Sequence, residues 1–133
     1  MEIRRIDWPT TMEWIVDLAQ RLQGKKIWGI PRGGQVVATI MAYHGCELAS
    51  RLGVAEVIID DIVCTGTTCK AWKMNNSPSL KFATLVTRST SKVKPDYSVV
   101  TFYTSDYIMF PWEDIEKVEK LVAQDRYTEV KDT

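Results

Sequence analysis

The stretch Glu56-Val57-Ile58-Ile59-Asp60-Asp61-Ile62-Val63-Cys64-Thr65-Gly66-Thr67-Thr68 decides the fold. Val57 to Ile59 are three β-branched residues in a row, which suits a buried strand, and Asp60 and Asp61 cap it. Cys64 to Thr68 form a turn of small residues around a glycine. A helix is expected to follow through Ala71, Trp72 and Met74, until Asn75-Asn76-Ser77-Pro78 breaks it. Strand, tight turn and helix in that order make the unit of a parallel α/β sheet.

The same residues carry a chemical reading. Thr65 to Thr68 can wrap an anion with backbone N–H groups, hydroxyls and the start of the following helix. Gly66 lets the backbone approach closely. Asp60 and Asp61 add acceptors that suit vicinal sugar hydroxyls or an Mg²⁺ shell. Thr-Gly-Thr-Thr alone is weak evidence, because such turns are common and strand-end carboxylates are often merely solvated. An apolar strand leading into paired acids and then this turn is far more specific, and together the parts describe a sugar phosphate. The turn lacks both the Gly-Lys-Ser/Thr of a Walker loop and the Gly-x-Gly-x-x-Gly of a dinucleotide fingerprint.

A second unusual turn lies upstream. Lys26 to Ile30 reads as a short buried strand that ends at Pro31-Arg32-Gly33-Gly34. Ligands of open parallel sheets bind beyond the carboxyl ends of the strands, where both turns are expected. Around them, Thr10 and Glu13 fit a capping box for a first helix with Trp14, Ile15, Leu18 and Leu22 on one face, stopped by Gly24. Gln35 to Tyr43 suggests a second helix, interrupted by His44-Gly45, with Cys46 to Leu52 resuming as a helical piece. Leu80 to Thr87 and Tyr97 to Tyr103 read as strands, joined by a polar surface loop over Ser89 to Pro95. Past Pro111, Ile115, Val118, Leu121 and Val122 share the face of a last helix, and the tail after Arg126 is expected to fray.

Composition sets the outer limits. A chain of 133 residues is one domain's worth, expected to span 1–133 as a single unit with a mainly parallel central sheet flanked by helices. Lys plus Arg and Asp plus Glu both number 17, a balance that argues against a nucleic-acid or membrane-surface binder. Hydrophobic residues at 45% and charged residues at 26% exclude disorder. There is no apolar run of membrane-spanning length, and no apolar stretch of a secretory leader near Met1. Cys46, Cys64 and Cys69 are too few and too irregular for a disulfide scaffold or a zinc pattern, so a cytoplasmic protein with buried thiols is expected. His44, the one histidine, reads as a surface residue at a helix end.

At this point the chain resembles the type I phosphoribosyltransferases, whose signature is an apolar strand, two acids, two apolar residues and a short Thr/Gly loop. Val57 to Thr68 matches it nearly throughout. Ile30 to Gly34 looks like the family's pyrophosphate loop. The segment Ile6-Asp7-Trp8, Arg21-Leu22 and the gapless stretch Ala83 to Trp112, closing on Pro111-Trp112, resemble the bacterial xanthine-guanine branch.

The resemblance implies transfer of the phosphoribosyl group of Mg²⁺-bound 5-phosphoribosyl 1-pyrophosphate (PRPP) to a nucleobase, foremost a 6-oxopurine, with release of pyrophosphate. On that pattern Arg32, Asp60 and Asp61 are the catalytic positions, with Asp61 facing the metal. PRPP is bound by Arg32, Gly33, Asp60, Asp61, Cys64, Thr65, Gly66, Thr67 and Thr68. Arg88 falls where the family has a lysine on the purine's 6-oxygen, though a surface ion pair suits it equally well. Tyr107 falls where an aromatic ring stacks on the base, and Ile108 where backbone groups meet its edge. A homo-oligomer with no nucleic-acid or membrane partner is implied.

Three departures accompany the resemblance. Only 25 residues separate Gly34 from Asp60, where relatives carry a strand–loop–strand lid over PRPP. Cys64 stands where oxopurine enzymes have an aspartate, and Arg88 replaces the lysine. The resemblance therefore also admits a PRPP- or nucleotide-binding regulatory protein with little turnover, or a transferase for a non-purine base.

Overall fold

In the computed structural model, residues 2–74, 76 and 79–124 are described; the expected fraying after Arg126 and most of Asn75 to Pro78 lie outside them. Eleven helices and strands follow in order: β1 (Ile3–Arg5), α1 (Trp8–Arg21), β2 (Lys26–Gly29), α2 (Gly33–Ala42), β3 (Glu47–Leu48), β4 (Val57–Val63), α3 (Thr67–Met74), β5 (Lys81–Arg88), β6 (Tyr97–Phe102), β7 (Tyr107–Met109) and α4 (Ile115–Ala123). Five strands form one sheet in the order β3-β2-β4-β5-β6, every neighbouring pair parallel. The expected α/β class is what the chain builds.

Why β4 lies at the centre is visible in its composition: all seven residues are buried, as parallel strands covered on both faces demand. Val57 and Ile59 pack with Ile15, Leu18, Val37 and Met41 of α1 and α2. Ile58 and Val63 pack instead with Cys69 and Phe82, where Trp72 of α3 and Trp28 also meet, ring centroids 5.4 Å apart. Strict alternation would place Ile62 with Ile58, yet Ile62 joins the α1–α2 layer. The pleat changes phase at Asp60-Asp61, where each carboxylate accepts a bond from the next residue's N–H, 2.8 Å at Asp61 and 2.9 Å at Ile62.

Several sequence expectations need correction. The acids lie inside β4 rather than capping it. Helix α1 starts earlier than the expected capping box, because the Asp7 carboxylate accepts the Thr10 N–H at 2.8 Å and Pro9 occupies the first turn. Cys46 to Leu52 is not helical. Glu47 and Leu48 pair with Lys26 and Ile27 on the edge of the sheet, and a single 3₁₀ turn follows at Leu52–Val54. No hairpin interrupts the path from α2 to β4, in keeping with its shortness. Besides β3, two further strands were not foreseen: β1 and β7 form a separate parallel ribbon, Ile3 opposite Tyr107 and Arg5 opposite Met109.

Candidate functional site

Strand β2 pairs with β4 only from Val57 to Ile59. Beyond Gly29 the chain turns away, with Ile30 still donating to the Ile59 carbonyl at 2.8 Å, so Asp60 to Val63 lose their β2 neighbour. The loop Pro31-Arg32-Gly33-Gly34 fills that gap. A Cβ on Gly34 would sit 2.3 Å from the Ile59 carbonyl oxygen, and one on Gly33 would sit 2.1 Å from Asp61 Oδ2. Backbone leaves no room for a side chain at Gly34, and Gly33 brings this loop against the Asp61 carboxylate of β4. Asp60 and Asp61 are largely buried, at 7% and 8% exposed. Arg32 is exposed at the start of α2, with no ion pair among the described residues.

Past β4, Cys64 is buried, whereas Thr65 and Thr67 are exposed with their hydroxyls 2.9 Å apart. The Thr67 N–H at the start of α3 meets Thr65 Oγ1 at 3.2 Å. Gly66 has φ +93°, a left-handed conformation that glycine adopts without strain. Its environment also excludes a side chain, since a Cβ would lie 2.8 Å from Val93 and 3.0 Å from Ser91 Oγ. The segment expected as a free surface loop is thus a wall of the turn. Lys92 donates its backbone N–H to the Thr65 carbonyl at 3.1 Å, and Ser91 is buried. Nothing in the local sequence of Ser89 to Pro95 signals this long-range contact.

The residues expected at the base end differ more from their reading. Among the described residues Arg88 makes no ion pair. Its Nη1 donates to the Thr104 carbonyl at 2.9 Å and its Nη2 to the Asp106 carbonyl. Tyr107 is not in a loop: it opens β7 with a buried ring, beside Met109 and Val118 of α4, and its hydroxyl donates to Glu113 Oε1 at 2.7 Å. Burial first, then the nearby Glu113, Asp61 and Cys64, drive its phenol well above the ordinary tyrosine range. Glu113 also accepts the Phe110 N–H at 2.7 Å. Ile108 is fully buried in the main core, on the other side of β7.

Among the described residues no group of three or more His, Cys, Asp or Glu side chains converges on a metal site. Two adjacent carboxylates are hard oxygen donors of the type Mg²⁺ accepts when the rest of its shell comes from water and phosphate oxygens, so the acid pair fits such an ion. No described helix is long and apolar enough to cross a membrane.

Comparison with solved structures places this geometry. A purine phosphoribosyltransferase from Pyrococcus horikoshii superposes with TM-score 0.66 at 24% identity, over 86% of this chain and 96% of that one. The chain has the type I phosphoribosyltransferase fold. The xanthine-guanine-hypoxanthine phosphoribosyltransferase of Helicobacter pylori gives 0.68 at 17% identity, over 90% and 99% of the two chains. A hypothetical protein from Neisseria gonorrhoeae with bound ppGpp gives 0.61 at 14%, over 95% and 99%. No protein-family model matches the chain, and no curated protein matches it in sequence.

Proposed function

We propose that the protein transfers the phosphoribosyl group of PRPP to a ring nitrogen of a nucleobase, foremost a 6-oxopurine, releasing pyrophosphate. The observation that carries this reading is the contact of Gly33 with Asp61. It sets an exposed arginine loop and an acid pair side by side at the carboxyl ends of adjacent parallel strands, with the Thr-Gly-Thr-Thr turn beyond. The purine phosphoribosyltransferases named above share the fold and support the choice of substrate class.

In this reading the bond from C1′ to the pyrophosphate oxygen breaks, and its electron pair leaves with pyrophosphate. A lone pair on the base nitrogen forms the new bond to C1′, and the base gives up its N–H proton to water or a nearby acceptor. Arg32 and the loop amides face the departing charge. Asp60 and Asp61 hold the ribose hydroxyls, and Thr65 to Thr68 grip the 5′-phosphate, which fixes C1′ in place. Asp61 would hold a magnesium ion, which would add charge neutralisation when bound. No covalent nucleophile is needed.

Pyrophosphate release, followed with PRPP, Mg²⁺ and guanine, xanthine, hypoxanthine, adenine, orotate or uracil in turn, tests the reading. Turnover is expected with the 6-oxopurines. Folded protein that releases pyrophosphate with none of the six contradicts it. A second reading, a purine-nucleotide-binding regulator with little turnover, is favoured by the missing lid and by the gonococcal neighbour solved with ppGpp. Saturable nucleotide binding without turnover supports that alternative. A cytoplasmic homo-oligomer accords with either reading.

A further inference from the structure

We propose that Arg88 is a positioning residue that clamps the β6–β7 connection onto the main sheet and so fixes the base end of the cleft, rather than a donor to the base. This rests on the phosphoribosyl-transfer reading. Arg88 is the last residue of β5 and lies opposite Phe102, the last of β6. From there the chain must cross to β7, and the intervening Tyr103, Thr104 and Ser105 are exposed. The guanidinium reaches back to both ends of this crossing, with Nη1 on the Thr104 carbonyl and Nη2 on the Asp106 carbonyl. Tyr107, the next residue, donates its N–H to the Glu2 carbonyl at 2.9 Å and begins the pairing with β1. The clamp therefore acts one residue before the segment that faces the base.

The electrostatics fit a strut. Arg88 is 7% exposed, has no carboxylate partner among the described residues, and its Nε is buried without a hydrogen bond. A buried cation satisfied only by two neutral carbonyls and lacking one bond is costly to hold. What the arrangement supplies is geometry: a planar fork can fix two carbonyls two residues apart, which the single ammonium of a lysine cannot reproduce. Each terminal nitrogen commits one N–H to main chain, which ties the guanidinium to the β6–β7 crossing instead of leaving it to swing toward the base.

The test compares Arg88→Lys and Arg88→Ala with wild type, using hypoxanthine and adenine at varied PRPP. Arg88→Lys is expected to raise the KM for either base about tenfold, leave the KM for PRPP within about twofold, and keep the hypoxanthine-to-adenine ratio of kcat/KM within about threefold. A change of more than tenfold in that ratio, or an unchanged base KM, overturns the proposal. Hydrogen exchange of ligand-free Arg88→Lys keeps it decidable if Arg88→Ala fails to fold or wild type shows no turnover. Lost protection confined to residues 103–109, with β4 unaltered, supports the clamp, and wild-type protection there overturns it. Absence of turnover in wild type counts against the transfer reading alone.

Discussion

Gly33 and Gly66 each stand where a methyl group has no room, but for different reasons. At Gly33 the obstacle is the Asp61 carboxylate, 2.1 Å from an added Cβ, so Gly33→Ala must push the acid or the loop aside. At Gly66 the left-handed backbone and the Ser89–Pro95 wall act together. Gly33→Ala and Gly66→Ala are both expected to weaken PRPP binding at least tenfold by titration calorimetry. Gly24→Ala is the control: it has φ +74° and nothing within 4 Å, so it costs about 1–2 kcal/mol of backbone strain and leaves PRPP affinity unchanged. Burial pushes the Cys69 thiol up to about 11, from an ordinary 9.0, and raises Cys46 as well. An acid raised on folding contributes stability that is intact below its unfolded value and is lost as pH climbs through its folded one. Denaturant midpoints are thus expected to hold level up to about pH 9 and to fall toward pH 11, and Cys69→Ala should shrink that fall.

Among the elements, those with long apolar faces were legible in the sequence and the short ones were not. Helix α1 and strands β4, β5 and β6 appear close to where the pattern of Trp14, Ile15 and Leu18, or of Val57 to Ile59, puts them. The cap of α1 was misplaced because Thr10 and Glu13 imitate a capping box, while Pro9 lets the helix begin one turn earlier on Asp7. Asp7→Ala is expected to lower the urea midpoint, because the Thr10 N–H loses its cap. The three-residue ribbon of β1 and β7 has too few residues to show a period, and its pairing joins segments far apart in sequence. No local pattern around Tyr107 reveals its burial, because the cover over its ring includes Val118 of α4. The acids and both glycine turns were legible, because paired carboxylates and adjacent glycines are costly to place anywhere without a purpose. The wall over Gly66 and the Arg88 clamp arise from contacts that no local pattern encodes.

Across the whole molecule, five parallel strands align two loops at one end of the sheet, and nothing between Gly34 and Asp60 is long enough to close over them. The connection carries only β3 and one 3₁₀ turn. An uncovered cleft leaves a reacting sugar carbon open to water. Slow pyrophosphate release from PRPP in the absence of any base is therefore expected, lost in Asp60→Asn/Asp61→Asn. That double variant removes charge while keeping side-chain oxygens that can accept from Asp61 and Ile62 N–H, so the kink of β4 is retained. The same pair provides the decisive measurement, calorimetric titration of PRPP with Mg²⁺ into wild type and into Asp60→Asn/Asp61→Asn. Saturable binding of one PRPP per chain, weakened at least tenfold in the variant, is the predicted result. No binding by folded wild type, or equal affinity in both proteins, contradicts the assignment of this cleft.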